Sequence, residues 1–200
     1  IYDFLRILYA RIGKTFCYKC GKEVKKDTPQ DIVNQLLQLQ ENTRIYIMFP
    51  VSPQTKNLKN ELSRLQELGF FRAVHRDSNE IIEFENQEIH SNLLNEELYI
   101  LADRLSINKE QETISRITDS VETAFSMGDG RVIIRDYDNQ KNYKFSSIYE
   151  CSECEIVYQE PTPQLFSFNS PLGACPHCQG FGRTIGWDED LIIPDKSRSL

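Results

Sequence analysis

No apolar run in the sequence approaches the roughly 20 residues that a membrane-spanning helix requires, so these 200 residues hold no helical membrane anchor and no membrane partner is expected. A Gly-x-x-x-x-Gly-Lys-Ser/Thr stretch is also missing, which removes the commonest backbone cradle for nucleotide phosphates. Histidine is scarce. His75, His90 and His177 have no serine or cysteine at the spacing of a nucleophilic triad, and no catalytic residue is assigned. The carboxylates are plentiful but scattered along polar segments, as expected of a solvated surface. Between Cys20 and Cys151 there is no cysteine at all. The chain starts on Ile1 rather than a methionine, and the expectation is a piece of a longer protein.

All six cysteines fall in Cys-x-x-Cys pairs: Cys17/Cys20, Cys151/Cys154 and Cys175/Cys178. A secreted disulfide scaffold would be shorter and denser in cysteine. Reduced thiols fit a cytoplasmic location. A tight turn lets both sulfurs of a pair reach one ion at about 2.3 Å, and a second pair completes a tetrahedron. Twenty residues separate Cys154 from Cys175, and the expected site is a structural zinc held by Cys151, Cys154, Cys175 and Cys178. Sulfur ligands alone also suit an iron–sulfur cluster. Four protein ligands leave no position for an activated water, which argues against zinc catalysis. A thioredoxin-type redox pair is the rival reading, but Pro176, Gly180 and Gly182 suggest a loop rather than a helix start. Cys17/Cys20 in "CYKCGK" resembles another metal knuckle with Gly21 at its turn. Whether it binds a metal or holds two ordinary thiols stays open. His177 reads as a bystander.

Charge is uneven. Residues 1–26 carry +5, including Lys19, Lys22, Lys25 and Lys26, and the remainder carries −12 within a net −7. An acidic bulk holds nucleic-acid phosphates poorly and suits a partner recognised through complementary patches.

The periodicities predict an α+β fold. "IYDFLRILYARIG" places Leu5, Leu8, Tyr9 and Ile12 on one helical stripe ending at Gly13. "TPQDIVNQLLQL" opens with Thr28 as N-cap, Pro29 at the first helical position and Asp31 completing a capping pattern. Its buried stripe is Ile32, Val33, Leu36 and Leu37. "RIYIMFPV" reads as a strand. "NLKNELSRLQELG" repeats Leu58, Leu62, Leu65 and Leu68 at helical spacing before Gly69. "FFRAVHR" and "ELYILADRLSI" are expected strands, with an acidic hairpin over 78–90 between them. "ETISRITDSVETAFSMG" carries Ile114, Ile117, Val121 and Phe125 on one helical face. "RVIIRDYDNQKNYKFSS" is a hairpin turning near 138–142. Residues 27–145 thus form a cysteine-free block, expected as a domain inserted between two halves of a scaffold, residues 1–26 and 146–200.

Together "IYDFLRILYARIG", "GFFRAV", "LADRL", "SVETAF", "GDGRV", "LIIPD" and, most specifically, "PQLFSFNSPLGACPHCQGFG" resemble the bacterial UvrA family across the whole chain. These are damage-sensing ABC-type ATPases of nucleotide excision repair. The resemblance implies a slice of the first nucleotide-binding half. The 27–145 block would be the inserted domain that docks UvrB, and Cys151–Cys178 the first zinc module. "GFFR" and "LADRL" match the stretches of UvrB contact and put Arg72 and Arg104 forward, because a planar guanidinium pairs a carboxylate bidentately. ATP, DNA and a UvrA homodimer would be engaged by the full-length parent. The other reading is a DnaJ-like zinc module binding unfolded clients, since "CPHCQGFG" fits the Cys-x-x-Cys-x-Gly-x-Gly repeat. "CSECEIVY" and "CYKCGKEV" lack the two glycines, and no His-Pro-Asp occurs.

Overall fold

The computed structural model describes residues 1–51, 58–76, 80–84, 98–183 and 192. The chain divides into two compact units, one of residues 1–15 with 159–200 and one of residues 16–158. The divisions fall at 15/16 and 158/159, so the Cys17 and Cys151 knuckles share a unit with the central block.

That larger unit is built on a six-stranded antiparallel sheet. Its strands are β3 (Arg44–Pro50), β4 (Arg72–His75), β5 (Ile81–Glu83), β6 (Leu98–Ser106), β7 (Arg131–Asp136) and β8 (Lys141–Ser146), in the order β5-β4-β6-β3-β7-β8. Three helices, α2 (Pro29–Leu36), α3 (Leu58–Glu67) and α4 (Gln111–Met127), supply the apolar side chains that meet one face of it. Helices on one face of an antiparallel sheet make the fold α+β, as the periodicities predict.

Each helix starts or stops for a local reason. Thr28 and Asp31 form a reciprocal capping box: the Asp31 N–H donates to Thr28 Oγ1 (3.2 Å) and the Thr28 N–H donates to Asp31 Oδ2 (3.0 Å). α3 ends in a Schellman motif, in which the Phe70 N–H donates to Leu65 O (2.9 Å) and the Gly69 N–H to Gln66 O (3.0 Å). Gly69 takes the required left-handed conformation at φ +91°. Phe70 then packs edge-on against Phe49, centroids 5.2 Å apart.

The helix-side core holds Ile32, Val33, Leu36, Ile45, Ile47, Phe49, Leu62, Leu65, Ile117, Val121 and Phe125. Full burial of an aliphatic side chain of this kind contributes about 1.5–3 kcal/mol. The expected stripe of α4 is buried from Ile117 onward, with Ile114 at its margin. Two of the apolar stripes read from the sequence are not buried throughout. Leu68 is exposed, because the Schellman turn swings the chain off the core one residue earlier. α1 (Tyr2–Ile12) buries nothing, and its stripe of Leu5, Leu8, Tyr9 and Ile12 is exposed. Within its own unit α1 uses Tyr2 instead, whose hydroxyl donates to Phe166 O (2.9 Å) while its ring lies 5.3 Å from that of Phe168. Of the acidic hairpin expected over 78–90, only β5 and its immediate neighbours are described. The rest of it, the Leu58 side chain and "LIIPD" lie outside the described residues.

The sheet's second face carries a smaller cluster of Met48, Val74, Tyr99, Leu101 and Ile133, with Tyr46 and Ile81 packed against it. A β-bulge shifts the register between Ile47/Asp103 and Met48/Leu101. It accommodates one extra residue, Ala102, and so turns Asp103 toward α4. There Arg116 donates to both carboxylate oxygens of Asp103 (2.8 and 2.7 Å) and the Ser120 hydroxyl adds a third bond (3.0 Å).

Burial alone would push the Asp103 carboxyl up, but the bonds from Arg116, Ser120 and the Arg104 N–H outweigh it and hold it below its ordinary value. A carboxyl depressed on folding stabilises the fold fully above its unfolded value near 3.8, and that contribution is lost as pH falls through the lower folded value. Asp103→Asn is therefore expected to cost about 1–2 kcal/mol at pH 7. In urea titrations the gap to wild type should narrow as the pH drops below about 4; a pH-independent gap contradicts this.

Candidate functional site

Antiparallel contacts at the base of the sheet bring two distant cysteine pairs together. The Asp27 N–H donates to Ser146 O (2.7 Å) and the Ser146 N–H to Asp27 Oδ2 (3.0 Å). Lys25 and Glu150 then form an antiparallel bridge. Beyond it lie the two-stranded sheets of β1 (Thr15–Phe16) with β2 (Glu23–Val24) and of β9 (Glu150–Cys151) with β10 (Ile156–Val157). The turn of each small sheet is a Cys-x-x-Cys knuckle.

The two knuckles are built alike. The Gly21 N–H donates to Cys17 O (2.8 Å) with Gly21 at φ +72°, and the Glu155 N–H donates to Cys151 O (2.7 Å) with Glu155 at φ +56°. The Sγ atoms of Cys17, Cys20, Cys151 and Cys154 all lie within 4.8 Å of one another, and those of Cys20 and Cys151 are 3.5 Å apart. Four sulfurs at about 2.3 Å from a common ion sit roughly 3.8 Å apart. No disulfide joins them. The geometry and the all-thiol donor set fit a tetrahedral zinc-type ion, which would cross-link the two knuckles and leave no coordination position for chemistry.

This tetrad differs from the one expected from spacing. Cys151 and Cys154 meet Cys17 and Cys20, and Cys175 and Cys178 belong to the other compact unit. Nearness along the chain suggested the 151/154 and 175/178 combination. The Asp27–Ser146 and Lys25–Glu150 contacts instead place residue 17 beside residue 151, and the four thiols gathered there are enough for a tetrahedral site. Cys175/Cys178 nevertheless folds as a third knuckle, with the Gln179 N–H donating to Cys175 O (2.7 Å) and Gln179 at φ +50°. Among the described residues it joins no group of three or more potential ligands. The paired form of "CYKCGK", with glycine at the turn, was the available signal for the missed ligands.

Proton affinities within the tetrad are split. The Tyr158 hydroxyl, with the backbone N–H groups of Cys20 and Lys19, lowers the Cys17 thiol to about 6 against the effect of burial. Burial and the neighbouring thiols push Cys154 up to about 12 and Cys151 upward. The Cys17 thiolate forms readily, while Cys151 and Cys154 hold their protons until a cation offsets the cost of charging them. Four thiolates around a divalent ion would carry a net charge of −2, which a nearby lysine would partly offset. Lys22, bonded to Glu153 (2.7 Å), is held more firmly protonated by that carboxylate and by Cys20 and Cys151.

The two arginines singled out by resemblance share the sheet's second face. Arg72 pairs across β4–β5 with Glu83 (Nε–Oε1 2.9 Å) and stands two residues before Val74 of the second-face cluster. Arg104 is the cross-strand partner of Tyr46, which packs on the same cluster. Strands β4 and β6 are neighbours, so both guanidinium groups rise from adjacent strands. The side chain of Arg104 is exposed and has no hydrogen-bond or ion-pair partner among the described residues.

Elemental analysis of the purified chain is expected to find one tightly held zinc per molecule. Cys17→Ser and Cys20→Ser should remove it as completely as Cys151→Ser or Cys154→Ser, and Cys175→Ser should not. Zinc retained in Cys17→Ser and lost in Cys175→Ser would reinstate the tetrad expected from spacing.

A family model described as the UvrA interaction domain matches residues 27–138, more than half of the chain. The chain is similar over its full length to UvrABC system protein A of Clostridium acetobutylicum (39% identical over 203 residues), of Clostridium tetani (37% over 205) and of Methanothermobacter thermautotrophicus (36% over 203). It spans about a fifth of the length of these relatives, 21% of each. On this match the chain belongs to the UvrA interaction domain family.

Proposed function

We propose that this chain is the UvrB-docking portion of a UvrA damage-recognition ATPase of nucleotide excision repair. It carries a structural zinc centre and performs no catalysis of its own. ATP hydrolysis, DNA engagement and homodimerisation belong to other parts of the parent in this reading, and its setting is the cytoplasm. The central block 27–145 is the docking domain, and the thiol centre is its anchorage rather than a reactive site.

The observation that carries the reading is the placement of Arg72 and Arg104 on neighbouring strands of one sheet face, with Arg104 exposed. Sheet strands hold their side chains on a rigid backbone, so little entropy is lost when a guanidinium meets a carboxylate. The chain's −12 beyond residue 26 also disfavours non-specific hold on DNA phosphates by this portion.

Calorimetric titration of the 200-residue chain with UvrB tests the proposal. Arg72→Ala combined with Arg104→Ala is expected to weaken binding at least tenfold, about 1.4 kcal/mol, with an unchanged circular dichroism spectrum. The loss should be larger at low salt than at high salt. Wild-type affinity of the double variant at both salt concentrations would refute docking through these arginines.

A further inference from the structure

Beside Arg104 the second sheet face carries a feature that the arginine pair does not explain. Tyr46, the cross-strand partner of Arg104 on β3, packs against Tyr137, which follows β7, with ring centroids 5.3 Å apart and planes tilted by 43°. The Arg44 guanidinium lies over the Tyr137 ring, 4.6 Å from its centroid. Asp138 fixes that guanidinium, accepting from Arg44 Nε (2.9 Å) and, through its other oxygen, from the Arg44 backbone N–H (2.9 Å). The Tyr137 N–H donates to Arg44 O (2.9 Å), extending the β3–β7 pairing to the base of the stack. The result is a step of Arg44, Tyr137 and Tyr46 that ends at Arg104, whose charge has no partner among the described residues.

Both tyrosines are half-buried, so each keeps ring surface in water. Their conformations are already restricted by their contact with each other, by the fixed Arg44 guanidinium over Tyr137 and, for Tyr46, by packing on the second-face cluster. Pre-ordered aromatic and arginine groups of this kind concentrate binding energy at interfaces, since little rotamer freedom remains to be lost. Asp138 neutralises Arg44 and Glu83 faces Arg72, whereas Arg104 faces none among the described residues. The step is thus aromatic in its middle, where the buried Arg135 beside Tyr46 donates to Asn142 and to Arg76 O, and cationic at the exposed Arg104 edge.

From this geometry we infer that Tyr46 and Tyr137 form the apolar part of the UvrB docking face. They would receive an apolar or aromatic side chain of UvrB that flanks the acidic residue paired with Arg104. The inference rests on the docking reading above and adds residues outside the two arginines. The tyrosine rings contribute surface area and π contact, the arginines contribute charge, and the two parts should differ in salt dependence.

The test is calorimetric titration of UvrB against the 200-residue chain carrying Tyr46→Ala, Tyr137→Ala, Tyr46→Phe or the arginine double substitution. Tyr46→Ala and Tyr137→Ala are each expected to weaken binding at least fivefold, by a factor nearly independent of salt. Tyr46→Phe should bind as wild type because the ring carries the contact. Tyr46 supports the second-face cluster, so its alanine variant also needs an unchanged thermal midpoint; Tyr137→Ala, at the turn, decides the matter if that midpoint falls. Binding lost with the arginines but kept with Tyr137→Ala overturns this inference and leaves the docking reading intact. Binding lost with Tyr137→Ala but kept with the arginine pair supports the aromatic step and overturns the arginine assignment. Wild-type binding by every variant, or none by the wild-type chain, overturns both.

Discussion

Glu150 is the residue in which the sheet and the thiol centre meet. Its carboxylate is buried and takes a two-pronged bond from Arg131 (2.8 and 2.7 Å) at the start of β7. Its backbone bridges to Lys25, and the next residue is Cys151. A buried carboxylate left without its guanidinium would be strongly destabilising, on the order of 3–5 kcal/mol. The pair therefore fixes where the chain passes from β8 into β9, and through it where two of the four sulfurs stand. The first knuckle reaches the same spot only because Asp27 and Ser146 lock the preceding chain beside β8. Neither the tetrad nor the register of the sheet edge survives intact without this base.

Local signals were legible in the sequence. The capping residues Thr28 and Asp31, the stop at Gly69, the apolar face of α4 and the β7–β8 hairpin each depend on interactions within a few positions, so pattern alone exposes them. The cysteine partnership was not legible, because Cys17 and Cys151 meet through backbone bonds between residues more than 100 positions apart. Spacing favoured the near pair, and only the base of the sheet distinguishes it from the distant one. α1 was misleading for a different reason. Its residues have helical periodicity, but apolar side chains occur on most of its sides, and periodicity does not say which side a neighbour covers.

The relation between Arg72 and Arg104 also escaped the sequence, which offered each as a separate candidate. A strand shows alternate residues to opposite faces, so one uncounted residue inverts the assignment. Ala102 is such a residue. With the bulge, Asp103 turns to Arg116 and Ser120 on α4 and Arg104 turns to the face of Tyr46. Regular alternation from Leu101 would have sent Arg104 among the helices instead.

The Asp27–Ser146 contact has a mechanical consequence. The central block leaves the knuckles through two chain segments held one hydrogen bond apart, 2.7 Å from the Asp27 nitrogen to the Ser146 oxygen. A tug applied to the sheet by a bound partner must travel down both segments together. It first opens the few hydrogen bonds of the base one after another, as a zip opens. Four metal–sulfur bonds spanning the same two segments would bear that load side by side, as a rivet does. With an ion in place the sheet would thus be fastened to the knuckles, and without one it would hang by a seam.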